Sequence, residues 1–131
     1  MNRSRTLERA LTANAIFSLT SGTIFTLFAS PLAAAIGLTD GLVLRIVGVG
    51  LLPFGAWVLA LSRSDAPSPK LGKLVSFLDA QWVVGTAILL VAWPDLFNAL
   101  GLALAIGIAL CVATFATWQI YGVLRIGAGA R

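Results

Sequence analysis

Of the five acidic side chains in this chain of 131 residues, one, Asp79, sits inside an apolar run. That run begins after Lys73, ends at Trp93, and is long enough to cross a bilayer. On insertion scales an aspartate at a helix centre costs about 2.5–3.5 kcal/mol, and less near an end. Such a residue needs a partner or a purpose. At helical spacing Asp79 shares a face with Trp82, Val83, Thr86, Leu90 and Trp93. In the first apolar run the same spacing collects Asn14, Phe17, Ser18, Ser21, Phe25 and Phe28, and in the last it collects Thr114, Trp118 and Tyr121.

Two readings of these faces stand side by side. In one, Asp79, Asn14, Ser18, Trp82, Thr86, Trp118 and Tyr121 form a ligand or proton site, a lone carboxylate ringed by aromatics that attracts a cation or carries a proton. In the other, Asp79 reaches the interface or bonds Asn14 and Ser18 as glue between helices, and the tryptophans are packing or interfacial anchors. Little other chemistry is on offer. The single cysteine, Cys111, excludes an internal disulfide and a CxxC pair. With no histidine, haem ligation and most zinc sites lose their usual ligands. One carboxylate lacks the second acid, base or metal that general acid–base catalysis requires. The expectation is no enzyme, no metal and no cofactor.

The elements that must hold these residues are membrane helices. The chain is 59% hydrophobic and 11% charged, against about 25% charged in ordinary soluble domains. A soluble fold of this length could not hide so much apolar side chain, so the bilayer is the expected solvent. Spans are predicted over residues 10–29, 41–61, 74–93 and 101–123, joined as an all-α, up-down-up-down four-helix bundle in one domain. Ser30-Pro31 interrupts the first span, with Pro31 suited to start a new helix capped by Ser30. Short interfacial helical segments are expected after spans one and three, in LAAAIGL and in DLFNAL. Thr39-Asp40 caps the second span, Pro53 should bend it, and residues 63–73 form a polar linker.

Charge sets the orientation. Arg3, Arg5, Arg9, Arg63, Lys70, Lys73, Arg125 and Arg131 fall on one side of this topology, and of the nine cations only Arg45 lies near the other. By the positive-inside rule both termini face the cytoplasm. Arg45 itself can snorkel outward or pair with Asp40 or Asp95. No basic patch with interleaved aromatics is present, so nucleic acid is not an expected partner. A cleaved signal peptide ending near Ala33-Ala34-Ala35 is the competing reading of the N-terminus, but removing it would leave three spans and put the positive charge on the wrong side.

Two further patterns bear on assembly. Asn14-Ala15-x-Phe17 matches Asp79-Ala80-x-Trp82 at an offset of 65, and Gly22-Thr23 before Pro31 matches Gly85-Thr86 before Pro94 at an offset of 63, which reads either as a faint duplicated hairpin or as composition bias among apolar helices. Small residues recur every four positions at Ser18 and Gly22, at Ala99, Ala103, Gly107 and Cys111, and at Ala105, Ala109, Ala113 and Thr117. Such ridges allow close helix approach, within the bundle or with a second copy or partner.

With its basic N-terminus, a first span closed by Ser30-Pro31 and a tryptophan-rich third span, the chain resembles, in outline, small uncharacterised four-span proteins of the bacterial inner membrane, DoxX-like ones among them. That resemblance implies a multi-pass inner-membrane protein and carries over no functional residues. Small multidrug-resistance transporters match in size and span number, but their signature glutamate in the first span has only Asn14 in its place here. Vitamin K epoxide reductase-like enzymes need paired cysteines. The first expectation is a non-enzymatic protein acting by helix packing, as an assembly subunit or small homo-oligomer, through Ser18, Gly22, Ala103, Gly107 and Cys111. The second is a small transporter or binder of a lipophilic small molecule around Asp79.

Overall fold

Proline 31 shows how the first span is shaped. Its ring has no N–H to give and clashes with the carbonyl four residues back, which is that of Leu27. The computed structural model describes residues 2–65 and 67–129, with residues 2–4 by backbone alone. In it α1 runs Asn2–Leu27 and stops there, and α2 resumes at Ala29–Ile36. The break therefore falls at Phe28, and Ser30 does not cap the new helix. The remaining helices are α3 (Leu42–Ser62), α4 (Pro69–Ala92) and α5 (Ala99–Gly129). Four helices, α1, α3, α4 and α5, are long and apolar enough to cross a membrane. Large apolar side chains such as Ile16, Leu42, Ile46, Ile88, Val91, Leu110 and Leu124 point outward, as a bilayer solvent requires.

Several boundaries differ from the sequence expectation. Ser68 caps α4 by accepting from the Leu71 N–H, with Pro69 at the first helical position, so the polar linker is shorter than residues 63–73 and Lys70 and Lys73 belong to the helix. The short segment expected after the third span is a turn rather than a helix. Pro94 and the immediate start of α5 leave it no room: the Asn98 side chain already accepts from the Gly101 N–H. The same side chain donates to the Ala35 carbonyl at 2.9 Å, and its backbone N–H donates to the Ile36 carbonyl at 3.0 Å. Asn98 thus starts α5 and satisfies the end of α2 together. Gly37, at φ +90°, turns the chain out of α2. At α3, Asp40 accepts from the Leu42 N–H, and the helix continues unbroken through Pro53.

The long helices alternate in direction, so both described ends of the chain lie at one end of the bundle. α1 packs against α3 on one side and α5 on the other, and α4 packs against α5. α3 and α4 do not pack along one another, which leaves the ring open at one seam. The buried apolar core is divided. One part, at the termini end, joins Leu7, Leu11, Ala15, Val58, Val75 and Val123. The other, at the far end, joins Ala29, Ala33, Ile36 and Leu44. Arg5, Arg9, Arg63, Lys70, Lys73 and Arg125 are exposed around the termini end. Arg131 and the Arg3 side chain lie outside the described residues.

Glycines set the α1–α3 distance. A Cβ on Gly48 would lie 2.7 Å from the Thr26 backbone nitrogen, and one on Gly55 would lie 2.8 Å from the Leu19 side chain. Gly50, on a different side of α3, would meet nothing within 4 Å. Gly48→Ala should therefore cost about 1–3 kcal/mol by overpacking against rigid backbone. Gly50→Ala should be neutral or stabilising by about 0.5–1 kcal/mol, because a glycine inside a helix loses more backbone entropy. Midpoints of detergent-induced unfolding for the two variants check this; equal midpoints would show that the close crossing is not where the structure puts it.

Candidate functional site

Asp79 is buried, on α4, six residues inside Lys73. Asn14 of α1 lies five residues inside Arg9, and Gln119 of α5 lies six residues inside Arg125. At 1.5 Å per residue each sits roughly 8–9 Å inward of its cation, and the fold brings all three to the bundle axis. The Asn14 amide donates to Asp79 Oδ2 at 2.7 Å, and the Gln119 amide donates to the same oxygen at 2.7 Å. The Asn14 amide also reaches Gln119 Oε1 at 3.3 Å, and Gln119 Nε2 donates a second time, to the Phe115 carbonyl at 2.9 Å. Ser18 donates to Asn14 Oδ1 at 3.2 Å. Every polar atom of the two amides is engaged. Such a network is what the bilayer interior demands, since each polar group left unpaired there costs several kcal/mol.

One valence stays open. Both bonds to Asp79 fall on Oδ2, and no described residue donates to Oδ1. That oxygen is not sealed inside protein either, and Asp79 lines a cavity of about 300 Å³. The cavity begins at Asn14, Ser18 and Asp79 and runs toward the far end of the bundle along Ser21 and Phe25. Residues of all four spans line it: Val47, Gly50, Leu51 and Phe54 from α3, Leu78 and Trp82 from α4, and Ile108 and Val112 from α5. Its wall is otherwise apolar, and it occupies the gap between the two parts of the core. Gly50 of α3 and Leu78 of α4, the two helices that do not pack along one another, line it and are also exposed. Phe17, also on the wall, is held by an edge-on contact with Phe115 at 5.4 Å. The indole N–H of Trp82 is buried without a partner.

The structure brings together Asn14, Ser18, Asp79 and Trp82, and leaves the other candidates apart. Thr86 donates to the Trp82 carbonyl within its own helix and is not on the cavity wall. Trp118 and Tyr121 are exposed, and Tyr121 pairs with Arg125, whose guanidinium lies 5.6 Å from the ring centre. The reason is rotation. A helix turns about 100° per residue, so once Gln119 faces the axis, Trp118 is carried to the side and Tyr121 to the far face. Gln119, fully buried, takes the place expected for Trp118. Its signal was an amide in an otherwise apolar span, which calls for a partner. Of the expected packing residues, Gly22 lies against Gly48 and Leu51 of α3. Ala103, Gly107 and Cys111 are exposed, and a Cβ on Gly107 would meet nothing within 4 Å. Arg45 is exposed one turn into α3. Among the described residues no group of three potential metal-ligating side chains occurs.

Replacing Gln119 with leucine removes one of two donors from a buried carboxyl and should destabilise the bundle by about 1–2 kcal/mol. Tyr121→Phe, which removes only an exposed hydroxyl, should change stability by less than about 0.5 kcal/mol. Unfolding titrations of the two variants test the placement, and the reverse order would sink it.

No known protein family, curated protein or solved structure matches the chain.

Proposed function

We propose that the protein is a non-enzymatic binder of a small, mainly apolar molecule, held in the bundle cavity with one polar group on Asp79 and reached sideways from the bilayer. The observation that carries this reading is the cavity itself, about 300 Å³ of space lined by all four spans and bounded at one end by a carboxyl oxygen without a protein donor. If Asp79 were helix glue alone, its network could close on itself and the helices could pack over it. Here α3 and α4 stay apart beside it. The volume falls at the small end of the range for ligand pockets, roughly 300–1,000 Å³. Transport across the membrane would be a use of the same site. By the positive-inside rule we place both termini in the cytoplasm, and by its outline resemblance to DoxX-like proteins we place the protein in the bacterial inner membrane.

Gly50 gives a clean test, because its Cβ would enter open space. Gly50→Leu should fold with wild-type stability and fill part of the cavity. Native mass spectrometry on gently extracted protein is expected to show a small organic molecule bound to wild type and absent from Gly50→Leu. A wild type that carries nothing but lipid, in its own membrane and after incubation with lipophilic compounds, would end the binding reading.

A second reading is assembly through α5, favoured by a different observation. Ala103, Gly107 and Cys111 form an exposed ridge, and Gly107 has open space around it. The single cysteine lies on that ridge, so mild oxidation in the membrane should trap a disulfide-linked dimer if two copies meet there, and Gly107→Leu should abolish it. Absence of the cross-link across a range of expression levels would remove this reading.

A further inference from the structure

We propose that the molecule the cavity selects is a small lipophilic amine, bound with its ammonium nitrogen on Asp79 Oδ1 and its apolar body among the aromatic side chains. The proposal rests on the binding reading above and names the chemistry of the ligand. Among the described residues, Asp79 is the only acidic one on the cavity wall, and no lysine or arginine lines it. The hydrogen-bond partners of the carboxyl are two uncharged amides, both on Oδ2. Among the described residues, a carboxylate in that setting has hydrogen bonds but no counter-ion, and its accessible oxygen, Oδ1, lacks a donor. An ammonium group supplies both.

The wall supports the same choice. Phe17, Phe25, Phe54 and Trp82 line the cavity around and beyond the carboxyl. Aromatic faces attract cations, more strongly as the site is desolvated, and they pack equally well against an aromatic or aliphatic body. Other head groups fit worse. An anion would confront Asp79 with no basic residue to offset it. A plain hydrocarbon would cover Oδ1 and leave a buried polar atom unpaired, with its desolvation uncompensated. The Trp82 N–H is sealed within the protein, so it does not serve a hydrogen-bond-accepting ligand. With about 30 Å³ for each water-sized group, the cavity volume holds a body of roughly ten non-hydrogen atoms within the protein.

The test uses the full chain in nanodiscs of zwitterionic lipid, titrated calorimetrically with three probes of matched size: 2-phenylethylamine, the uncharged propylbenzene and the anion phenylacetate, each corrected for empty discs. The expected result is saturable binding of 2-phenylethylamine, at least tenfold tighter than propylbenzene, with no binding of phenylacetate. Asp79→Asn, whose carbonyl can still accept from Asn14 and Gln119, should remove the preference for the amine and leave the propylbenzene affinity within about twofold. If propylbenzene binds wild type as tightly as the amine, the proposal is overturned while the binding reading stands. If phenylacetate binds as well as the amine, the charge argument is wrong. If none of the three binds, the proposal also fails. The fate of the co-purified molecule in Gly50→Leu then decides separately whether any ligand uses the cavity. The comparison among probes on wild type holds even if Asp79→Asn does not fold.

Discussion

The bundle depends on one arrangement: a carboxyl oxygen shared by two amide donors from two other helices. Asp79 Oδ2 accepts from Asn14 on α1 and from Gln119 on α5, and so ties α4 to both across the membrane interior. In water such bonds would contribute little, because solvent competes for each group. Inside a bilayer the alternative is an unsatisfied polar atom, so the network specifies which faces of α1, α4 and α5 point inward even though those helices are apolar nearly all round. Hydrophobicity drives the helices into the membrane. It cannot tell them which way to face, since lipid tails are as apolar as the neighbouring helix.

Close approach of backbones completes the specification. Gly22, Gly48 and Gly55 let α1 and α3 approach each other, and Gly122 lets α5 rest on Leu7 of α1. No comparable contact joins α3 to α4. The faint duplication, in which Asn14 corresponds to Asp79, pairs α1 with α4 and α3 with α5. Under that correspondence the α1/α5 and α3/α4 seams are equivalents, yet one is packed and the other open. Asn14 and Asp79 also meet at the axis, one contributing an amide and the other a carboxyl.

Much of this is legible in the chain. Asp79, Asn14 and Ser18 stand out because polar side chains in an apolar run must satisfy one another, and helical spacing puts each on a defined face. The four spans and their alternation follow from length, apolar content and the clustering of Arg and Lys. Gln119 was not legible from spacing because α5 has apolar residues on every side, so periodicity carries no contrast and the aromatic Trp118 and Tyr121 suggested the wrong face. The break at Phe28 lies three residues ahead of Pro31, since a proline disrupts the carbonyl behind it. The turn at residues 93–98 depends on Asn98 reaching α2, a contact between segments far apart in sequence. The open seam is not written in any single residue: it follows from which helix pairs found small residues to meet through.

Under the proposed binding role, the seam also decides which reservoir the cavity samples. A molecule that passes between α3 and α4 comes from lipid, so the concentration that matters is the one in the bilayer. Each added methylene favours partition from water into the membrane by about 0.8 kcal/mol, roughly fourfold in concentration. The same methylene gains little on moving from lipid tails to a wall of valine, leucine and phenylalanine. Greasiness then governs supply and contributes almost nothing to discrimination, which is left to the few polar atoms around Asp79 and to the shape of the space beyond them.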